Sequence, residues 1–282
     1  MPGCVDIIMS MNKPFKTSLI FLAIALLAVG SLIQTGCNGS SDIVNPPLND
    51  KYRIQGALVK DANLDAMLID STRIALTLTR QDTTLTTALI RFDGDTLTYN
   101  KLSFLLDSVY SFKDSIKGLV PSDLYDLVVR DSNLFQDTAK VYVPDTFSIT
   151  SVIPGTRISN GGDQIRLVWT SAAGIQGYAV GVVMRGSQYQ GTGYSQYITT
   201  LTTDATIPPD AFRLTDPNSP DTGWYYLYVY GYTGSPDSAI SSELLPVPFP
   251  SQLPDNVARN DFHGQIGAVV VSKKDSMHVV LQ

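Results

Sequence analysis

The sequence predicts an all-β protein made of two tandem β-sandwiches, and three observations carry that expectation. Short runs rich in Val, Ile, Leu, Thr and Tyr are separated, roughly every eight to twelve residues, by turn clusters such as "KDANLD", "DGD", "DPNSPDTG" and "SPDS". That is the rhythm of a sandwich or a barrel. The acidity is almost entirely aspartate, Glu243 being the only glutamate; Asp favours turns, whereas Glu favours helices. Finally, the pattern Y-x-[LV]-x-V occurs at Tyr125 and again at Tyr225.

Residues 1–37 stand apart from the fold. Lys13 and Lys16 precede an apolar run from Leu19 to Ile33, and "QTGC" follows, ending at Cys37. A basic stretch, an apolar stretch and small residues in that order make a secretory signal. The run is shorter than the ~20 residues a spanning helix needs. Thr35-Gly36-Cys37 resembles the lipobox of bacterial lipoproteins, although Gln34 stands where that family usually has Leu. The resemblance implies lipidation of Cys37 and a protein held on the cell envelope, at the outer membrane, by a lipid anchor. An ordinary signal peptide or an uncleaved anchor is the alternative. The other cysteine, Cys4, lies upstream, so the folded part has no disulfide framework and depends on its core. Residues 38–50, "NGSSDIVNPPLND" with Cys37 just before them, read as a flexible tether.

The first sandwich is expected at 51–145. "STRIALTLT" alternates, with Ile74, Leu76 and Leu78 on one face. In "LSFLLDSVYSFKDSIKGL", Leu105, Val109, Phe112, Ile116 and Leu119 fall at helical spacing, so strand and helix both stay open at 102–119. "GLVPSDLYDLVV" resembles the E–F corner and F strand of fibronectin type III and related immunoglobulin-like domains. In those domains the tyrosine hydroxyl, here that of Tyr125, bonds back to the chain upstream. The second sandwich is expected at 146–250. "DQIRLVWT" with Trp169, "GYAVGVV" with Tyr178, and then Tyr225, Leu227 and Val229 resemble strands B, C and F of a fibronectin type III domain. Residues 251–282 are expected to form a C-terminal β-hairpin, with "KKDS" at its turn, that adds strands or clamps the two domains together.

Several function classes find little support. A net charge of −6 without a Lys/Arg cluster argues against nucleic acid. The histidines are His263 and His278, and there is no G-x-S-x-G elbow, so a Ser-His-Asp hydrolase is disfavoured. The aspartate-rich spots, Asp61 with Asp65 and Asp93 with Asp95, do not match a calcium loop and read as turns. No cofactor is expected.

What remains is a tyrosine surface. In "GWYYLYVYGYTG", period two sends Tyr225, Leu227 and Val229 to the core and Trp224, Tyr226, Tyr228, Tyr230 and Tyr232 to the opposite face. Their neighbours on the preceding strand would be Gly177, Ala179 and Gly181, so the rings can lie over bare backbone. Tyr189, Tyr194 and Tyr197 sit in a Ser/Gln/Gly-rich loop with the composition of a recognition surface. So many aromatics on one face call for a cover: another part of the molecule, a protein partner or a glycan. The expectation is a non-catalytic, membrane-anchored binding or scaffolding lipoprotein for protein partners. Its alternative is a carbohydrate-binding surface lipoprotein using Tyr226, Tyr228, Tyr230 and Tyr232 with the 189–197 loop. An Asp-dependent envelope hydrolase is a distant third.

Overall fold

The alternation of "STRIALTLT" does what period two requires: Ile74, Leu76 and Leu78 are buried in one core. The computed structural model describes residues 52–281 apart from 64–70, 102–107, 113–116, 134, 152–163, 199–200, 214, 217, 251–252 and 260. The expected signal sequence, Cys37 and the expected tether therefore lie outside the described residues, as does Asp65. The chain from Asp50 onward forms a single compact unit.

The first sandwich runs through β1 (Tyr52–Asp61), β2 (Ser71–Arg80), β3 (Thr83–Thr84), β4 (Leu89–Phe92), β5 (Asp95–Lys101), β6 (Ser108–Ser111), β7 (Lys117–Gly118), β8 (Asp123–Arg130) and β9 (Gln136–Val143). Its strand order is β1-β2-β6-β5 on one side and β4-β8-β9 on the other, with β5 also pairing β4. Read as A to G, this is the ABED and CFG arrangement of an immunoglobulin-like sandwich. Between the layers lie Ile54, Leu58, Ile90, Phe92, Leu127 and Val129. Tyr125 closes the corner: its hydroxyl donates to Val120 O at 3.1 Å and accepts from Val120 N at 2.7 Å. "FDGD" is the β4–β5 turn, with positive φ at Asp93 (50°) and Gly94 (79°), as a tight hairpin demands. Within 102–119 the described residues are β-strands at Ser108–Ser111 and Lys117–Gly118, and the remainder of the helix-spaced stretch lies largely outside the described residues. Cross-strand pairing of Tyr110 with Tyr99 on β5 and Leu76 on β2 overrides the local spacing there.

The second sandwich uses β10 (Ile149–Ser151), β11 (Ile165–Trp169), β12 (Gly177–Met184), β13 (Tyr194–Ile198), β14 (Asp204–Ile207) and β15 (Gly223–Gly234). Sheet β10-β11-β14 faces β13-β12-β15 across a core holding Leu167, Trp169, Tyr178, Val180, Tyr225 and Leu227. The Tyr225 hydroxyl donates back to Asp221 O at 3.0 Å, a second corner of the same kind.

After β15 come helix α1 (Ser238–Leu244), β16 (Val257–Arg259), β17 (Phe262–Val271) and β18 (Asp275–Val279). Here the structure corrects the expected C-terminal hairpin. β17 pairs in parallel with β1 over its whole length and antiparallel with β15 from Tyr230↔Val271 to Gly234↔Gly267. β18 then pairs with the same strand β15, from Leu227↔Asp275 to Gly223↔Val279. The two strands are thus consecutive parts of one run along β15, offset by one residue at Ser272–Lys274. That offset is a β-bulge. Ser272 holds it, its N–H donating to Val229 O (2.9 Å) and its Oγ accepting from Val229 N (3.0 Å). The Asn63 amide bridges it from outside, donating to Ser272 O and accepting from Lys274 N. Polar residues such as "SKKDS" suit a turn and a bulge equally; the twelve-residue length of β15 decides between them by offering both apolar runs one partner.

The consequence is architectural. β18 supplies the second sandwich with its seventh strand, and β17 sits between β1 and β15, so the inner sheets of both sandwiches are one continuous sheet.

Candidate functional site

The outer face of that continuous sheet carries the tyrosines. Register places Gly177 opposite Tyr232, Ala179 opposite Tyr230 and Gly181 opposite Tyr228, as period two requires. A Cβ at Gly177 would collide with the Tyr232 ring, and one at Gly181 would lie 3.1 Å from both the Tyr230 hydroxyl and Val247. The small residues are what allow the rings to lie flat over the neighbouring strand.

Most of this face is covered by the chain itself. α1 starts at Asp237, whose side chain accepts from Ile240 N (3.0 Å) as an N-cap and from Gln55 Nε2 (3.0 Å) on β1. Pro246 follows shortly after the helix and stops its continuation. From there Leu244, Leu245, Val247 and Phe249 form a strap that packs on Tyr228 and Tyr230 from the second sandwich and on Ala57 and Val59 from the first. Tyr230 is wholly buried. Its hydroxyl donates to Val247 O (3.1 Å) and accepts from Val247 N (3.0 Å), replacing the strand partner that the strap lacks. Burial pushes the phenol well above its ordinary pKa. Tyr228 is also buried and stacks beside Tyr230. Tyr232 and Tyr197 meet each other and Phe249 edge-on.

The loop tyrosines divide. Tyr189 donates its hydroxyl to Asp61 Oδ2 at 2.6 Å, fastening the second sandwich to the end of β1, and its N–H donates to Pro246 O. Burial first, and the Asp61 carboxylate second, raise the Tyr189 pKa. Asp61 also accepts from Asn63 N and Nδ2, so three hydrogen bonds hold this buried carboxylate. Tyr194 pairs with Val182 and packs on the inner core, away from the others. The structure therefore gathers Tyr189, Tyr197, Tyr228, Tyr230 and Tyr232 around the strap.

What stays open at the end of the ladder is Trp224, 47 % exposed and stacked on His278 of β18 with ring centroids 4.9 Å apart. Beside it Lys274 Nζ lies 4.3 Å from the centre of the half-buried Tyr226 ring. The sequence places Trp224 on the outer face but carries no signal that pairs it with His278, because that pairing depends on the β15–β18 register. Among the described residues no group of three or more His, Cys, Asp or Glu side chains could hold a metal ion.

The chain matches no protein-family model and no curated protein. Among solved structures it is similar to DIP-gamma IG1+IG2 at 8% identity and a TM-score of 0.22, covering 81% of this chain and 94% of that one. Dpr11 IG1 bound to DIP-gamma IG+IG2 is similar at 8% identity and a TM-score of 0.19, covering 77% and 96% respectively. The strand order of this chain, and not those likenesses, defines its immunoglobulin-like sandwiches.

Proposed function

We propose that the chain is a non-catalytic cell-envelope lipoprotein, lipidated at Cys37 and carried on the 38–50 tether, whose fused sandwiches bind and scaffold protein partners. The observation that supports this best is the direction of the shared strand. β1 begins at Tyr52, beside Phe262, two residues after the expected tether ends in the sequence. The β17–β18 run then leads away from it to Val279, which pairs with Gly223 next to Trp224. At ~3.3 Å per residue, this path is on the order of 50 Å. A chain attached through the residues before Tyr52 would carry its exposed Trp224, stacked on the half-buried His278, at the other end of one continuous sheet. Tryptophan is among the residues enriched where protein partners bind. The carbohydrate reading draws on the same face, but Tyr228 and Tyr230 are enclosed by the strap, which favours a protein partner at the open end instead.

Metabolic labelling with a fatty acid tests the anchor. The wild-type chain is expected to take up label and partition with membranes, and Cys37→Ala to lose both. Label retained by Cys37→Ala would overturn the anchored reading.

A further inference from the structure

The β17–β18 run outlasts the strand beside it. β1 pairs with β17 only as far as Asp61↔Val271, whereas the run continues through the bulge into β18. Asn63 reaches one step further, its side chain accepting from Lys274 N at 2.6 Å. The segment that joins the sandwiches meets the run at Lys273, opposite Ser148, and then leaves for the other sheet, where Ile149 pairs with Trp169. Among the described residues, β18 pairs with β15 alone.

Strand geometry decides which backbone groups this leaves, because the N–H and C=O groups of successive residues point to opposite sides of an antiparallel strand. Arg185 N donates to Trp224 O at 2.8 Å, so Trp224 faces β12 and Tyr225 faces β18. Met277, the register partner of Tyr225, therefore faces β15, and Ser276 and His278 face outward. The outward Lys274 N–H that Asn63 holds has the same parity. The Asp275 carboxylate takes the Ser276 N–H at 2.7 Å. The Ser276 C=O and both backbone groups of His278 stay directed at the edge. A sheet edge of this kind is a template for one more strand.

The side chains around the edge favour one sign of charge. On the outer face, register sets Arg185, Trp224 and His278 in one row, with Lys274 over the Tyr226 ring in the next. Arg185, Lys273 and Lys274 are exposed, in a chain whose net charge is −6. The carboxylate of β18, Asp275, is half-buried and already bonded to Ser276 N.

We propose that β18 is a strand-addition site, at which an extended acidic segment of a protein partner pairs with the Ser276–His278 edge. Its carboxylates meet Lys273 and Lys274, and its alternate side chains lie beside His278, on which Trp224 stacks. Backbone hydrogen bonds supply affinity in such pairing and alternate side chains supply specificity, while charge complementarity steers the encounter. The assignment rests on the reading that the Trp224 end meets a protein, and adds the chemistry and the mode of that contact.

A displayed library of random twelve-residue peptides, selected on the full chain in detergent, supplies the probe, and the best binder is measured by fluorescence anisotropy. It is expected to be rich in Asp and Glu. N-methylation of its residues of one parity should weaken binding by about ten-fold or more, and methylation of the other parity should not, since a strand offers only alternate N–H groups to its neighbour. Lys274→Glu should weaken binding to a similar degree. Ser276→Pro, which removes no hydrogen bond to β15, should block the edge and abolish binding. The methylation arm uses the wild-type chain, so it decides the question even if Ser276→Pro does not fold. A best binder without acidic residues, equal effects of the two methylations, or unaltered affinity in Lys274→Glu would each overturn the assignment. Binding that Trp224→Ala abolishes but neither methylation weakens would remove strand addition and keep a protein partner at Trp224. A library that yields no binder sensitive to Trp224→Ala would count against both.

Discussion

Tyr230→Ala is expected to destabilise the protein by about 3–5 kcal/mol, the usual cost of emptying a large aromatic site in a core. The ring is wholly buried between strand β15 and the strap, stacked near Tyr228 and Phe249. Its hydroxyl also satisfies both backbone groups of Val247, itself completely buried. Tyr230→Phe separates the two contributions. It keeps the ring and strands the Val247 N–H and C=O, and should cost about 1–3 kcal/mol. Trp224→Ala, at the exposed end of the same ladder, should cost less, about 1–2 kcal/mol, because only about half of the ring is buried. Urea unfolding of the three variants checks the ranking. Equal effects at Trp224 and Tyr230 would mean that the strap does not enclose the face.

Deleting residues 273–282 should unfold the second sandwich. Met277 and Val279 are fully buried in the core with Trp169 and Leu227, and β18 pairs the Gly223–Leu227 half of β15. Removing it takes out a core-lining strand and leaves that half of β15 paired on one side only, with β12. A milder variant, Met277→Ala, should cost about 2–5 kcal/mol. Loss of the near-ultraviolet signal of buried Trp169 in the truncated chain is the readout. A truncated chain that keeps this signal would fit a separate terminal hairpin and would contradict the shared strand.

Local chemistry was legible in the sequence. The faces of β2 and β15 follow from period two, and both tyrosine corners act over a few residues, Tyr125 to Val120 and Tyr225 to Asp221. The tyrosines over Gly177 and Gly181 were readable for the same reason, once β12 and β15 are neighbours. That the C-terminal segment adds strands or ties the sandwiches together was also expected, but its partners and register were not legible. Phe262 meets Tyr52 at the far end of the sequence, and no local pattern specifies that an apolar strand will lie in parallel against the first one. "ELLPVPFP" has too short a helix and too many prolines to announce a strap, yet its Leu244, Leu245, Val247 and Phe249 decide which tyrosines face water. The bulge was hidden because the polar residues that form it are those that form turns. With it went the placing of His278 against Trp224.

Two sandwiches, one shared strand and one strap make a single body. Scanning calorimetry of the full chain tests this most directly. A fused sheet should unfold in one cooperative transition, with calorimetric and van't Hoff enthalpies in agreement. Two separable transitions, one for each sandwich, would contradict it.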